Sequence, residues 1–199
     1  MSHNTLIHRG VRALVRPLCR TAVTPNQITW LRLATGIGAA ICLAVGDPLW
    51  RHIGAGVFVL SMVLDRADGE LARMSGKTSP GGHKFDLIAD AVSNALLLAG
   101  LGIGMRYGFY EVWAVPMGIA AGAAVGAILL MVMRLETLAG PRAGELQGTG
   151  IFDPDDAILL VPIVVWLGGS EIILTAAAVG APLFAVYFFW RMRDKLRDG

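Results

Sequence analysis

Six apolar stretches, roughly 27–46, 50–72, 84–105, 110–134, 155–169 and 171–190, occupy most of this 199-residue chain. A bilayer's hydrocarbon core of about 30 Å takes about 20 helical residues to cross. The spacing therefore predicts an all-α, polytopic membrane protein with six transmembrane helices and no soluble domain. Composition agrees, because 55% hydrophobic residues and a mean hydropathy of +0.60, with only 16% charged residues, are too apolar for an ordinary soluble domain. The fifth and sixth stretches merge around Gly168-Gly169-Ser170, where a hairpin boundary is expected.

Charge then sets an expected orientation. Lys and Arg favour the cytoplasmic side of short loops. With the N-terminus inside, all 17 Lys and Arg residues except Arg51 and Arg106 fall at or near cytoplasmic ends. The net charge is only +2, so this clustering reads as a topology signal and not as a nucleic-acid surface. In residues 1–24, Arg9, Arg12, Arg16 and Arg20 recur about every four residues between Leu6, Val11, Leu14, Val15 and Leu18. That pattern predicts an N-terminal amphipathic interfacial helix, and it lacks the unbroken apolar core of a signal peptide. Cys19 and Cys42 carry neither the spacing nor the setting of a disulfide or zinc site.

Against this apolar background stand four aspartates, Asp65, Asp68, Asp86 and Asp90. Asp65, Asp68, Gly69, Ala72 and Arg73 fall on one stripe of the second apolar helix, and Gly82, Asp86 and Asp90 on one stripe of the third. Between them, Met74 to Gly81 contains Ser75-Gly76 and Ser79-Pro80-Gly81, a turn that returns the helices antiparallel with their acidic stripes facing. Like charges so close raise one another's pKa unless a cation compensates them. Mg²⁺ or Mn²⁺ suits an all-carboxylate site that shares its metal with phosphates. His3, His8, His52 and His83 are scattered, and His83 reads as a polar loop residue beside Gly82. Upstream, Thr24 is a natural N-cap and Pro25 fits the first helical position.

The whole string, Asp65-Arg-Ala-Asp68-Gly69-Glu-Leu-Ala72-Arg73, eight residues, then Gly82, Asp86 and Asp90, resembles the signature of the CDP-alcohol phosphotransferase family with every specified position filled. The Pro25-Asn26, two residues, Thr29 pattern is similar to that family's first crossing helix. The resemblance implies that residues 25–199 form a six-helix transmembrane catalytic domain behind a cytoplasmic juxtamembrane segment, 1–24. It implies an enzyme of phospholipid biosynthesis in a bacterial or archaeal-type plasma membrane, with its active site facing the cytoplasm. Asp65, Asp68 and Asp86 would bind two divalent ions, and Asp90 would complete the cluster and act as general base. Asn26, Thr29, Asp68, Gly69, Ala72, Arg73 and Gly82 would contact the CDP-alcohol, CMP would leave, and the protein would be a homodimer.

The implied donor is CDP-diacylglycerol or a related CDP-alcohol, and the implied acceptor is a small polar alcohol such as serine, glycerol phosphate or inositol phosphate. Other members of the family move a CDP-linked head group onto a lipid or polyol. A phosphorylated acceptor needs extra cations, for which Arg134 leads, followed by Arg142, Arg191 and Lys84; each also fits a helix-end topology residue. Asp153, Asp155 and Asp156 are expected to cap the fifth helix. Of another class, a divalent-cation transporter also places acidic clusters in a membrane. It requires neither the Gly-Ala-Arg elements nor their spacing.

Overall fold

Proline, glycine and small capping side chains divide the chain into helices. The computed structural model describes the backbone of residues 11–12, 14–140 and 154–197, and side chains within 11–12, 14–140 and 160–193. The described residues contain six long helices and no strand: α1 Pro25–Val45, α2 Pro48–Ser75, α3 Pro80–Gly104, α4 Ala114–Ala139, α5 Pro154–Trp166 and α6 Ser170–Arg197. Thr24 N–H donates to Gln27 Oε1 at 3.0 Å, and Pro25 takes the first position of α1. Asp47 Oδ1 accepts from Leu49 N–H at 2.8 Å to start α2, and Ser79 Oγ accepts from Gly82 N–H at 3.0 Å to start α3. Gly46 and Gly76 close α1 and α2 in the left-handed region, with φ of 87° and 68°.

Four helical segments are long and apolar enough to cross a membrane: Pro25–Val45, Pro80–Gly104, Glu111–Ala139 and Ser170–Arg193. The third includes a 3₁₀ turn, Glu111–Trp113, that precedes α4. Two of the six expected crossings fall outside this set for different reasons. In α2 the apolar run Ile53–Leu64 is bracketed by Arg51 and His52 on one side and by Asp65, Arg66, Asp68, Glu70 and Arg73 on the other. Helix α5 has 13 residues, about 20 Å at about 1.5 Å per residue.

Helix α1 packs against both α2 and α3, α3 against α4, α4 against α6, and α5 against α2. The closest seams are built from small residues, as expected where lipid gives no hydrophobic drive to association. A methyl on Gly100 or Gly104 of α3 would collide with the backbone carbonyl of Ala40 or Leu43 on α1. Where α3 meets α4, a methyl on Gly102 would come 2.5 Å from Ala114 O. One apolar core gathers Leu43, Phe58, Leu97, Leu101 and Leu174 at the end remote from the aspartates. A second core lies under the acidic stripe, where Val11 and Val15 of the N-terminal segment pack with Ile28 and Leu71.

Of the N-terminal helix expected over residues 1–24, the described part is helical at Val11, Arg12, Leu14 and Val15, followed by a 3₁₀ turn at Leu18–Arg20. Its buried valines face α2, while Leu14 is exposed. His83 is not a loop residue. Ser79 and Pro80 start α3 early, so His83 stands in its first turn.

Candidate active site

The turn Gly76–Ser79 returns α3 alongside α2, so that carboxylates three residues apart on one helix meet carboxylates four residues apart on the other. Asp65, Asp68 and Asp86 each offer an oxygen, and the three oxygens lie within 4.8 Å of one another. Asp68 is buried at 3% exposure, and its Oδ2 accepts from Thr29 Oγ1 at 2.8 Å. Asp65, Asp86 and Asp90 are more open, with side chains 43%, 41% and 54% exposed. This oxygen-only donor set fits a hard divalent cation.

Behind the carboxylates lies Arg32 of α1. Its Nη1 is 2.6 Å from both Asp65 Oδ1 and Asp86 Oδ1, and its Nη2 is 2.7 Å from Asp90 Oδ1, with the arginine side chain 3% exposed. Asn94 Nδ2 donates to the same Asp90 oxygen at 3.1 Å, and Ser61 Oγ donates to the Arg32 carbonyl at 3.0 Å. One guanidinium against four carboxylates leaves the cluster strongly anionic, the electrostatic condition for taking up cations.

Asp68 and Asp86 line a cavity of about 620 Å³ between α1, α2, α3 and α4. Asn26, Thr29, Asp68, Gly69, Ala72, Arg73 and Gly82, expected from the sequence to meet the CDP-alcohol, all line it. Gly69 faces space: a methyl there would meet only Arg73 Nη1 and Nη2, at 3.8 and 3.9 Å. Gly82 is tighter, since a methyl would sit 3.0 Å from Asn26 Oδ1 and 3.0 Å from Ser79 Oγ. Its hydrogen side chain lets Asn26 approach α3.

Of the expected acceptor cations, Lys84 lines this cavity. Arg134, on α4, is exposed and absent from the lining, as is Arg191 on α6, and Arg142 lies outside the described residues. On the α4 wall the cavity presents Met133, Glu136 and Thr137, and His83 Nε2 lies 3.0 Å from Glu136 Oε1. Helix α5 starts at Pro154; Asp153 lies outside the described residues, as do the side chains of Asp155 and Asp156.

Sequence reasoning gave Arg32 only a topology role. The signal was present, because Asn26, Thr29, Arg32 and Gly36 fall near one face of an otherwise apolar helix. A charge there needs a partner in the protein. Glu136 and Asn94 carried no comparable signal, since a single polar residue does not specify which helix faces it.

The chain matches the CDP-alcohol phosphatidyltransferase family over residues 22–190 and belongs to it. It is 29% identical over 165 residues to the bifunctional IPC transferase and DIPP synthase of Rubrobacter xylanophilus, covering 80% of this chain and 35% of that protein. It is 22% identical to the phosphatidylinositol phosphate synthase of Corynebacterium glutamicum, covering 86% of this chain and 78% of the relative. The chain thus spans about a third of the bifunctional relative and most of the single-function one. Its fold is shared with the phosphatidylinositol phosphate synthase of Mycobacterium tuberculosis. The manganese and citrate complex of that protein superposes with a TM-score of 0.68 at 18% identity, covering 90% of this chain and 88% of that one. Its complex with CDP-DAG gives 0.67 at 19%, covering 92% and 94%.

Proposed function

We propose that this protein transfers a phosphatidyl or related phospho-alcohol group from a CDP-alcohol, with CDP-diacylglycerol the first choice, to the hydroxyl of a small polar acceptor, releasing CMP. The observation that carries this reading is the meeting of Asp65, Asp68 and Asp86, two of which, Asp68 and Asp86, line a cavity together with Asn26, Gly69, Ala72, Arg73 and Gly82. Two divalent ions, Mg²⁺ or Mn²⁺, held by these aspartates would supply positive charge to the donor pyrophosphate and to the departing CMP oxygen. Asn26 and Arg73 offer polar contacts to the nucleotide and its phosphates. The bare surface at Gly69 and Ala72 lets them come close to α2. Asp90, oriented by Arg32 and Asn94, takes the acceptor proton as the new phosphoester bond forms.

In this reading α2 and the α5–α6 hairpin complete six crossings around a catalytic domain of residues 25–199. Residues 1–24 form an amphipathic segment at the cytoplasmic surface, and the protein works as a homodimer in a bacterial or archaeal-type membrane. The C. glutamicum relative and the M. tuberculosis neighbour are named for phosphatidylinositol phosphate synthesis, which favours a phosphorylated polyol. Lys84, inside the cavity, is better placed for its phosphate than Arg134. A guanidinium fixed among three of the aspartates supports group transfer over a cation path, because a permeating ion would have to displace it.

Incubating purified protein with Mn²⁺, CDP-diacylglycerol and, in turn, serine, inositol, inositol phosphate and glycerol phosphate, then measuring CMP, tests the proposal. Release with one acceptor is the expected result. No CMP from any CDP-alcohol, together with metal flux into liposomes, would favour the transporter.

A further inference from the structure

Beside the cavity sits a buried carboxylate that is not one of the signature aspartates. Glu70 of α2 has a side chain only 6% exposed, while its two cationic partners, Arg12 and Arg73, are 58% and 54% exposed. Its oxygens are divided between them. Oε1 accepts from Arg12 Nε at 2.6 Å, and Oε2 accepts from Arg73 Nε at 3.2 Å and Nη2 at 2.8 Å. Two donors on one oxygen fix the plane of a guanidinium that would otherwise sample many rotamers. The Arg73 guanidinium so held lies over the gap at Gly69 and lines the cavity.

Arg12 belongs to the N-terminal segment, whose Val11 and Val15 pack with Leu71, the residue after Glu70. The same segment is tied down again beyond Arg73, where Lys77 Nζ donates to the carbonyls of Thr21 and Val23 at 3.3 and 3.2 Å. Arg12 therefore approaches Glu70 from a backbone anchored on both sides. If it were removed, the buried Oε1 would lose its partner, and the carboxylate would turn toward Arg73 or toward water.

The geometry points to Glu70 as a positioning residue that aims Arg73 into the donor cavity. Arg12 is the brace that holds Glu70, so the N-terminal segment is a working part of the site. This inference rests on the reading of Arg73 as a contact to the CDP-alcohol phosphates.

Steady-state CMP release by the full chain in detergent tests it, using Glu70→Gln, Glu70→Asp, Arg12→Gln, Arg73→Ala and the Glu70→Gln/Arg73→Ala pair. Loss of one charge-assisted contact should raise KM for CDP-diacylglycerol about tenfold in Glu70→Gln while leaving kcat nearly unchanged. Arg12→Gln should shift KM the same way by less, and Glu70→Asp should recover most of the loss. In the Arg73→Ala background Glu70→Gln should add nothing. A lowered melting temperature with unchanged KM, or fully additive losses in the double variant, would overturn the positioning role. A readout that needs no turnover is the rate at which phenylglyoxal modifies Arg73, followed by peptide mass spectrometry. It should rise several-fold in Glu70→Gln and Arg12→Gln, and an unchanged rate in both would also overturn the inference. An unchanged KM in Arg73→Ala alone would refute Arg73 as a donor contact and the inference with it. A raised KM there, with none in Glu70→Gln, would refute the positioning alone.

Discussion

A guanidinium held 2.6 to 2.7 Å from three carboxylates by an otherwise apolar helix has two effects. It offsets part of the repulsion that would splay the aspartates, and it fixes one oxygen of each. Arg32→Met should therefore cost about 1–3 kcal/mol, less than the ~3–5 kcal/mol of a fully buried broken pair because the aspartates are half exposed. The loss should be largest in metal-stripped protein and partly restored by Mn²⁺. Melting curves in detergent with and without Mn²⁺ check this; equal losses in both would show that Arg32 does not serve the cluster. Gly69 makes a sharper case, since a methyl there meets nothing nearer than 3.8 Å. Gly69→Ala should fold normally with a modest rise in donor KM, and Gly69→Val should raise it strongly by filling the gap. A Val variant with unchanged KM and disturbed assembly would make this a packing glycine. The aspartate spacing was legible in the sequence because helical period alone puts those residues on two stripes. Arg32 was not, because its role depends on which face of α1 turns toward α2 and α3.

At the scale of elements, α1 and α3 approach so closely that their seam depends on hydrogen side chains. A methyl on Gly104 would collide with Leu43 O, whereas one on Gly126 of α4 meets nothing within 4 Å. Gly104→Val should lower the melting temperature through at least the ~1–3 kcal/mol of an overpacked contact, and Gly126→Ala should leave it unchanged. Equal effects would mean that the seam is looser than described. The helices themselves were readable from apolar runs and from Thr24-Pro25 and Ser79-Pro80. Their ends moved by several residues where capping chemistry outran hydropathy: α3 starts at Pro80, so His83 becomes a helical partner of Glu136. Charge in α2 and the 13-residue length of α5 leave four segments among the described residues, not the expected six, long and apolar enough to cross a membrane.

For the whole molecule, the bundle sets the aspartates near one end and an exposed aromatic rim, Tyr107, Phe109 and Trp113, on the segment after α3. The expected topology puts the aspartate end in the cytoplasm. With Cys19 and Cys42 changed to Ser, a cysteine at position 107 should react with a membrane-impermeant maleimide on intact cells, and one at position 78 only after permeabilisation. The reverse pattern would invert the orientation. Membrane class and family were legible in the sequence from apolar length and one signature. The acceptor was not, because the residues from four helices that line the cavity are brought together only by the fold, and single side chains do not announce their neighbours.

The central claim, that this aspartate cluster holds divalent ions which enable CMP to leave a CDP-lipid, is met most directly by one comparison. Wild-type protein and Asp68→Asn are stripped of metal, Mn²⁺ is titrated back, and CMP release from CDP-diacylglycerol is measured with the acceptor identified by the panel. Asp68→Asn keeps the side-chain shape and the Thr29 contact can persist, so folding should survive while a charged metal ligand is lost. The account predicts Mn²⁺-dependent CMP release in the wild type and none at any Mn²⁺ concentration in Asp68→Asn. Release by Asp68→Asn at the wild-type rate and with the wild-type Mn²⁺ dependence would contradict it.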